Sequence, residues 1–237
     1  MPVSTSPAVR PLTQSISQRT GLKKNKNLTL RVYHQIIDLM LSYQIVPGQR
    51  LVFVDLAKQL KVSRTPVNNA LGILAQEGYL DFVPNQGYSV HKITKKEAED
   101  LYEIREVLEV GFIGPAIRQM TEKTLQKVEQ SKIAYEESIS THVTRKMFIL
   151  DTEFHLAILA MTGNELLTRR YEELCRKIFL RFRTEDLVMG RIGEIKNEHQ
   201  QLFEAIRMRD VELAKQRVQE HHRHSKKNLF PIIFASK

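Results

Sequence analysis

Four side chains in the C-terminal half combine in type and spacing to suit a transition metal. Asp151 and His155 stand in the stripe Phe148, Asp151, His155, Ile158, which is otherwise apolar. At i and i+4 they share one face of a helix, close enough to ligate one ion. His199 interrupts a second stripe, Ile195, His199, Leu202, Ile206. His221 follows Ala214 and Val218 at helical spacing in a third. Three imidazoles and a carboxylate thus point inward from three helices. Buried polar groups need partners, and one divalent ion would satisfy all four. This ligand set suits zinc foremost, or nickel, cobalt, iron or manganese; it does not suit calcium or magnesium. Spacing alone leaves other readings open. Inward histidines can hydrogen-bond within a core, and the tail HHRHSKK can bind metal loosely at the surface. Nor does spacing firmly separate His221 from His222.

The elements that must position these residues are helical. Past Ile93 almost no strand signal occurs, and Gly and Pro are sparse. Thr94 with Glu97 three residues on is a capping box. Six helices are expected at about 95–118, 122–140, 144–161, 165–188, 192–207 and 210–229. Gly114-Pro115 is expected to kink the first of them. Gly163-Asn164 stops the third, and Arg209-Asp210 marks the last break. Residues 94–237 should therefore form one all-α domain, ample for its own core.

A second chemistry lies upstream, in LVFVDLAKQLKVSRTPVNNALGILAQEGYL. It reads as two short helices joined at Lys61-Val62. Leu56, Ala57 and Leu60 give the first its apolar stripe, and Val67, Ala70, Leu71 and Leu74 the second. Ser63 suits the N-cap, and Pro66 falls in the first turn, where its missing N–H is not needed. Arg64, Thr65 and Asn68 are left at the exposed N-terminal end, the end a helix-turn-helix turns toward base edges. Tyr79 to Val83 and Tyr88 to Lys92, around Pro84-Asn85-Gln86-Gly87, read as a hairpin, hence a wing. Leu28 to Tyr43 supplies a first helix through Val32, Ile36, Leu39 and Met40, and Ile45 to Arg50 is a turn. The fold class expected is mainly α, a winged helix-turn-helix followed by an all-α bundle.

Charge placement agrees. Residues 1–93 hold 11 Lys or Arg against 4 Asp or Glu, whereas residues 94–237 hold 25 against 23. The basic excess sits in the DNA-reading part, where it would attract phosphate. Residues 1–27, rich in Ser, Thr, Pro and Gln and then basic at Lys23, Lys24 and Lys26, read as a disordered tail. The single cysteine, Cys175, excludes an intrachain disulfide framework and fits a reducing compartment. No apolar run approaches the roughly 18 residues of a membrane span, and no signal peptide is evident. A cytoplasmic protein without a membrane partner is expected.

The string PGQRL…LAKQLKVSRTPVNNAL…EGYL…P…G…V resembles the winged domain of the GntR family of bacterial transcription regulators over about residues 28–93. The family's roles carry over to Arg64 and Thr65. They do not carry over at Asn68 and Gln86, where the family usually has Arg, and Gly72 departs in the same way. Asn68 can still read adenine or touch a phosphate. Arg50 holds the family's PG-x-R position, and Ser63 and Gln86 complete the candidate DNA contacts. The helical half is similar to the FCD effector domain of the FadR-type subfamily, through LYEIREVLE, DTEFH, EHQQLFEAI and RDVELAKQRVQEH. That resemblance implies a metal held by Asp151, His155, His199 and His221, and its spacing selects His221 over His222. It also implies a small organic acid as effector. Arg105 beside the stripe Leu101, Ile104, Leu108, Phe112 could pair bidentately with its carboxylate, or form a buried salt bridge with Glu109. Tyr102 is a weaker candidate for the same pocket.

The function implied is a sequence-specific regulator, more often a repressor, binding a pseudo-palindromic double-stranded operator as a homodimer. The alternative is a metal-dependent hydrolase of helical His/Asp type. Against it, no spare general base is evident, since Glu198 beside His199 should point elsewhere on its helix.

Overall fold

A computed structural model describes residues 24–139, 145–182 and 192–234, with backbone alone at 24–27, 192 and 193. These fall into two compact units. One holds the residues up to Ile93 together with 177–182, and the other holds residues 94–176 and those from 192 on.

In the first unit α1 (Lys24–Leu41), α2 (Phe53–Leu60) and α3 (Arg64–Gln76) accompany a sheet of β1 (Arg50–Leu51), β2 (Leu80–Val83) and β3 (Gly87–Val90). The strand order is β1-β3-β2, antiparallel throughout, with Leu80 opposite Val90 and Val83 opposite Gly87. Helix α1 packs on α3. Val32, Ile36 and Met40 meet Val67, Ala70, Leu71 and Leu74 in a core from which water is excluded. Helix α2 ends at Lys61 in the left-handed conformation, and α3 starts after the extended Ser63.

Three expectations change here. Helix α1 begins at Lys24, so the tail boundary at residue 27 is too late; residues 1–23 lie outside the described residues. The segment read as a turn to Arg50 ends in a strand, which pairs Arg50 with Ser89 and Leu51 with Tyr88. Two residues are too few to show a strand's alternation. Ser63 occupies the N-cap position, but its hydroxyl makes no capping hydrogen bond.

The second unit holds α4 (Lys95–Gln119), α5 (Glu122–Glu137), α6 (Arg145–Ala160), most of α7 (Glu165–Phe179), α8 (Ile192–Arg207) and α9 (Val211–Ile233). The capping box at its start is complete: Thr94 accepts from the Glu97 backbone, and the Glu97 carboxylate accepts from Thr94 N–H at 2.9 Å. Helix α4 packs on α6 and α9, α5 on α6 and α8, and α8 on α9. Between them Ile113, Ile117, Phe154, Ile158, Leu202 and Ile206 anchor one apolar core. Helix α4 continues through Gly114-Pro115 as one helix; a Cβ at Gly114 would stand 3.2 Å from Val211, so this glycine serves the close approach of α4 and α9. One expectation changes again. Helix α7 stops at Phe179 rather than 188, and residues 183–191 lie outside the described residues.

Beyond α7, Leu180 and Phe182 are buried, and the Arg181 guanidinium donates to the carbonyl of Gly78 at the end of the α3 segment. Gly78 has φ +79°, and a Cβ there would meet Arg181 at 2.9 Å. Left-handed backbone costs an L-residue about 1–2 kcal/mol. Gly78→Ala should destabilise the winged unit by about that amount, measured as a lower urea midpoint for its unfolding; an unchanged midpoint would refute the strain argument.

Candidate metal centre and DNA-reading helix

Helices α6, α8 and α9 bring Asp151, His155, His199 and His221 together. One ligand atom from each lies within 4.8 Å of all the others. The imidazole centroids of His155, His199 and His221 are 5.0–5.3 Å apart. All three rings are buried, and Asp151 is half-buried. His199 is held between Phe154 and Tyr135, whose ring centroids lie at 4.5 and 4.8 Å. The sequence stripes therefore converge, which spacing alone could not establish.

The donor chemistry fits a metal on a direct observation. The ring nitrogens of His155 and His199 make no hydrogen bond among the described residues. His199 Nε2 stands 3.2 Å from Asp151 Oδ1, and His155 Nδ1 2.8 Å from Glu109 Oε2. Both are charge-pair distances off the line of a hydrogen bond. Buried polar atoms without partners are rare and costly, and imidazole nitrogens converging on a carboxylate oxygen are what a divalent transition ion coordinates.

Around this cluster lies a ring of charged and hydroxyl groups, most of which carry no helical-spacing signal in the sequence. Glu109 on α4 is its hub. Its Oε1 accepts from Tyr171 at 2.5 Å and lies 3.0 Å from His222 Nε2. Arg105 donates to Tyr171 Oη at 3.1 and 3.2 Å and stands 3.6 Å from Glu109 and 3.9 Å from Asp151. Of the two expectations for Arg105, the buried pair with Glu109 is present, and the same guanidinium also stands beside Asp151. Tyr102 is buried with its ring 5.3 Å from the Arg105 guanidinium. His222 is buried and its Nε2 faces Glu109, whereas His221 lies in the cluster with Asp151, His155 and His199. Glu198 corrects the expectation that it points elsewhere, because its carboxylate spans to α9 and takes His221 Nδ1 at 2.7 Å. Cys175 is an inert core thiol whose pKa burial pushes up to about 11.

Electrostatics sort the three imidazoles. Burial pushes the Glu109 carboxyl up, but His155 and His222 beside it hold it well below the usual carboxylate range. Burial opposes the Asp151 charge too, and the His199 contact with the nearby imidazoles outweighs it. Burial would lower the His155 pKa, but Glu109 raises it above the ordinary value. His199 stays lowered, because burial outweighs Asp151. Burial carries His221 down to about 3, with Glu198 opposing.

On the winged unit Ser63, Arg64, Thr65, Asn68, Arg50 and Gln86 are all exposed. Arg64, Thr65 and Asn68 share one face of α3's first turns. Gly72 is half-buried, and a Cβ there would lie 3.7 Å from Tyr88 Oη. An Arg in its place would point toward the wing. The hairpin from Leu80 to Val90 has no Lys or Arg; it exposes Phe82, whose ring is 5.0 Å from that of Tyr88.

Residues 28–90 match the profile of the bacterial regulatory proteins of the gntR family, and residues 100–224 that of the FCD domain. The chain belongs to the GntR family, in its FCD-bearing branch. It is 32% identical to the Nta operon transcriptional regulator of Aminobacter aminovorans over 59% of this chain and 66% of that protein. It is 26% identical to an HTH-type transcriptional regulator of Bacillus subtilis over 88% of this chain and 93% of the relative. Among solved structures, Escherichia coli McbR matches with a TM-score of 0.68 at 24% identity, covering 86% of this chain and 97% of that one. A GntR regulator from Rhodococcus matches with a TM-score of 0.74 at 21% identity, covering 89% and 100%. This GntR protein is a DNA-binding transcriptional regulator, and the hydrolase alternative falls because its families and relatives are regulators, not enzymes.

Two outcomes follow. A metal must displace the His155 proton, since His199 and His221 are neutral in the same range. Affinity should rise with pH through a window lying above the ordinary 6.5, with release of about one proton. Calorimetry in two buffers of different ionisation enthalpy reads this, and pH-independent affinity there would contradict it. On DNA, Arg64→Ala should cost about 1–3 kcal/mol of binding to a selected operator, read by fluorescence anisotropy at ~0.1 M salt. Undiminished affinity would remove Arg64 from the reading surface.

Proposed function

We propose that this regulator senses a small organic acid at a metal held by Asp151, His155, His199 and His221. The observation that supports it is the set of convergent, unpartnered buried imidazole nitrogens beside Arg105. A divalent ion there, zinc foremost, supplies a Lewis-acidic position for a carboxylate. Arg105 supplies a guanidinium close by, and Tyr171 and Glu109 hold that guanidinium in place. The acid is thus bound by charge on both sides in a buried site, where electrostatic contacts are strong.

Binding at this site shifts a population of arrangements, and operator and acid affinities are then reciprocally coupled. Helix α7 offers a route. It carries Tyr171, and the segment that continues from it carries Arg181, which bonds the Gly78 carbonyl in the winged unit. Two winged units in a homodimer would read a pseudo-palindromic operator, with repression as the outcome. The protein acts in the cytoplasm; among the described residues no helix is long and apolar enough to cross a membrane.

The test is thermal stability across a panel of small carboxylates, with chelated and with zinc-reloaded protein. Some acid should raise the melting temperature of the loaded chain and leave the chelated chain unmoved. Equal shifts with and without zinc would overturn the metal-dependent sensor.

A further inference from the structure

We propose that Glu198 is a positioning residue of the metal centre, fixing His221 in the tautomer that presents Nε2 to the ion. The inference rests on the metal-site reading above and adds a role to a residue outside the four ligands.

The geometry is specific. Glu198 immediately precedes the ligand His199 on α8, yet its carboxylate crosses to α9. There Oε2 meets His221 Nδ1 at 2.7 Å and Oε1 meets His224 Nδ1 at 2.8 Å. His221 and His224 are one turn apart, so one carboxylate bridges both rings. Its side chain is only 13% exposed, and that of His221 6%. An ionised carboxylate accepts and cannot donate. Both Nδ1 atoms must therefore carry a proton. In neutral His221 that leaves Nε2 bare, the form a metal requires. A carboxylate behind a ligating imidazole also fixes its ring orientation and raises its basicity. Two consecutive residues of α8 then serve the same ion, His199 directly and Glu198 through His221.

At His155 a carboxylate also stands behind the ring, Glu109 Oε2 at 2.8 Å from Nδ1, as a charge pair off the line of a hydrogen bond. Glu109 is shared among Tyr171, His222 and Arg105 as well, so its substitution would disturb the whole shell. Glu198 meets His221 and the partly exposed His224, away from the Glu109 network.

The experiment uses the full chain and zinc. In a chelator competition Glu198→Gln should weaken zinc binding by ~10–100-fold, while the metal-free melting temperature stays near that of the wild type. Zinc affinity within about twofold of wild type would overturn the assignment. If the wild type itself takes up no zinc, the metal-site reading fails first and this one with it. A second measurement needs no variant. Long-range nitrogen–proton NMR of the metal-free wild type should show His221 protonated at Nδ1 only. Protonation at Nε2 would overturn the proposal even if Glu198→Gln failed to fold.

Discussion

Four imidazoles and three carboxylates enclosed among helices, those of His155, His199, His221 and His222 and of Glu109, Asp151 and Glu198, impose the constraint that the rest of the helical unit obeys. Helix backbones satisfy their own hydrogen bonds and leave none for inward side chains. Each buried polar group must then find another side chain or an ion. Asp151, His155, His199 and His221 find too few. Glu109, Glu198, Arg105 and Tyr171 supply what charge and hydrogen bonding they can, yet nitrogens of His155 and His199 remain unpartnered. The apolar core around Phe154, Ile158, Leu202 and Ile206 fixes α6 and α8 beside this cluster. One donor atom each of Asp151, His155, His199 and His221 then lies within 4.8 Å of the others.

The winged unit obeys a different economy. Arg50, Ser63, Arg64, Thr65, Asn68 and Gln86 are exposed, and the basic excess of residues 1–93 attracts DNA over a long range. The chain lacks Arg at positions 68, 72 and 86, where its family usually has it. The wing presents Phe82, Asn85 and Gln86 instead of cations.

Much of this was legible in the residues, and the limits have physical causes. Helix stripes singled out Asp151, His155 and His199 because polar residues in an apolar register are conspicuous, whereas spacing left His221 and His222 side by side. The capping box at Thr94 and Glu97 fixed the start of α4. Glu198 was misplaced because a wheel treats a side chain as a point on one helix, whereas a glutamate can reach to a neighbour. Tyr171 carries no local sign of its role, since an inward tyrosine looks like any core aromatic until its hydroxyl meets Glu109. The strand at Arg50 was hidden by its length, and α7 was drawn too long because helical periodicity continues past the point where the chain leaves the helix.

The most direct test of the account is X-ray absorption at the metal edge of the zinc-loaded, effector-free chain. The account predicts one ion per chain with imidazole nitrogen dominating its shell, three such ligands and a carboxylate oxygen at about 2.0–2.2 Å. A shell made mainly of oxygen, or the absence of stoichiometric zinc in a folded chain, would contradict it.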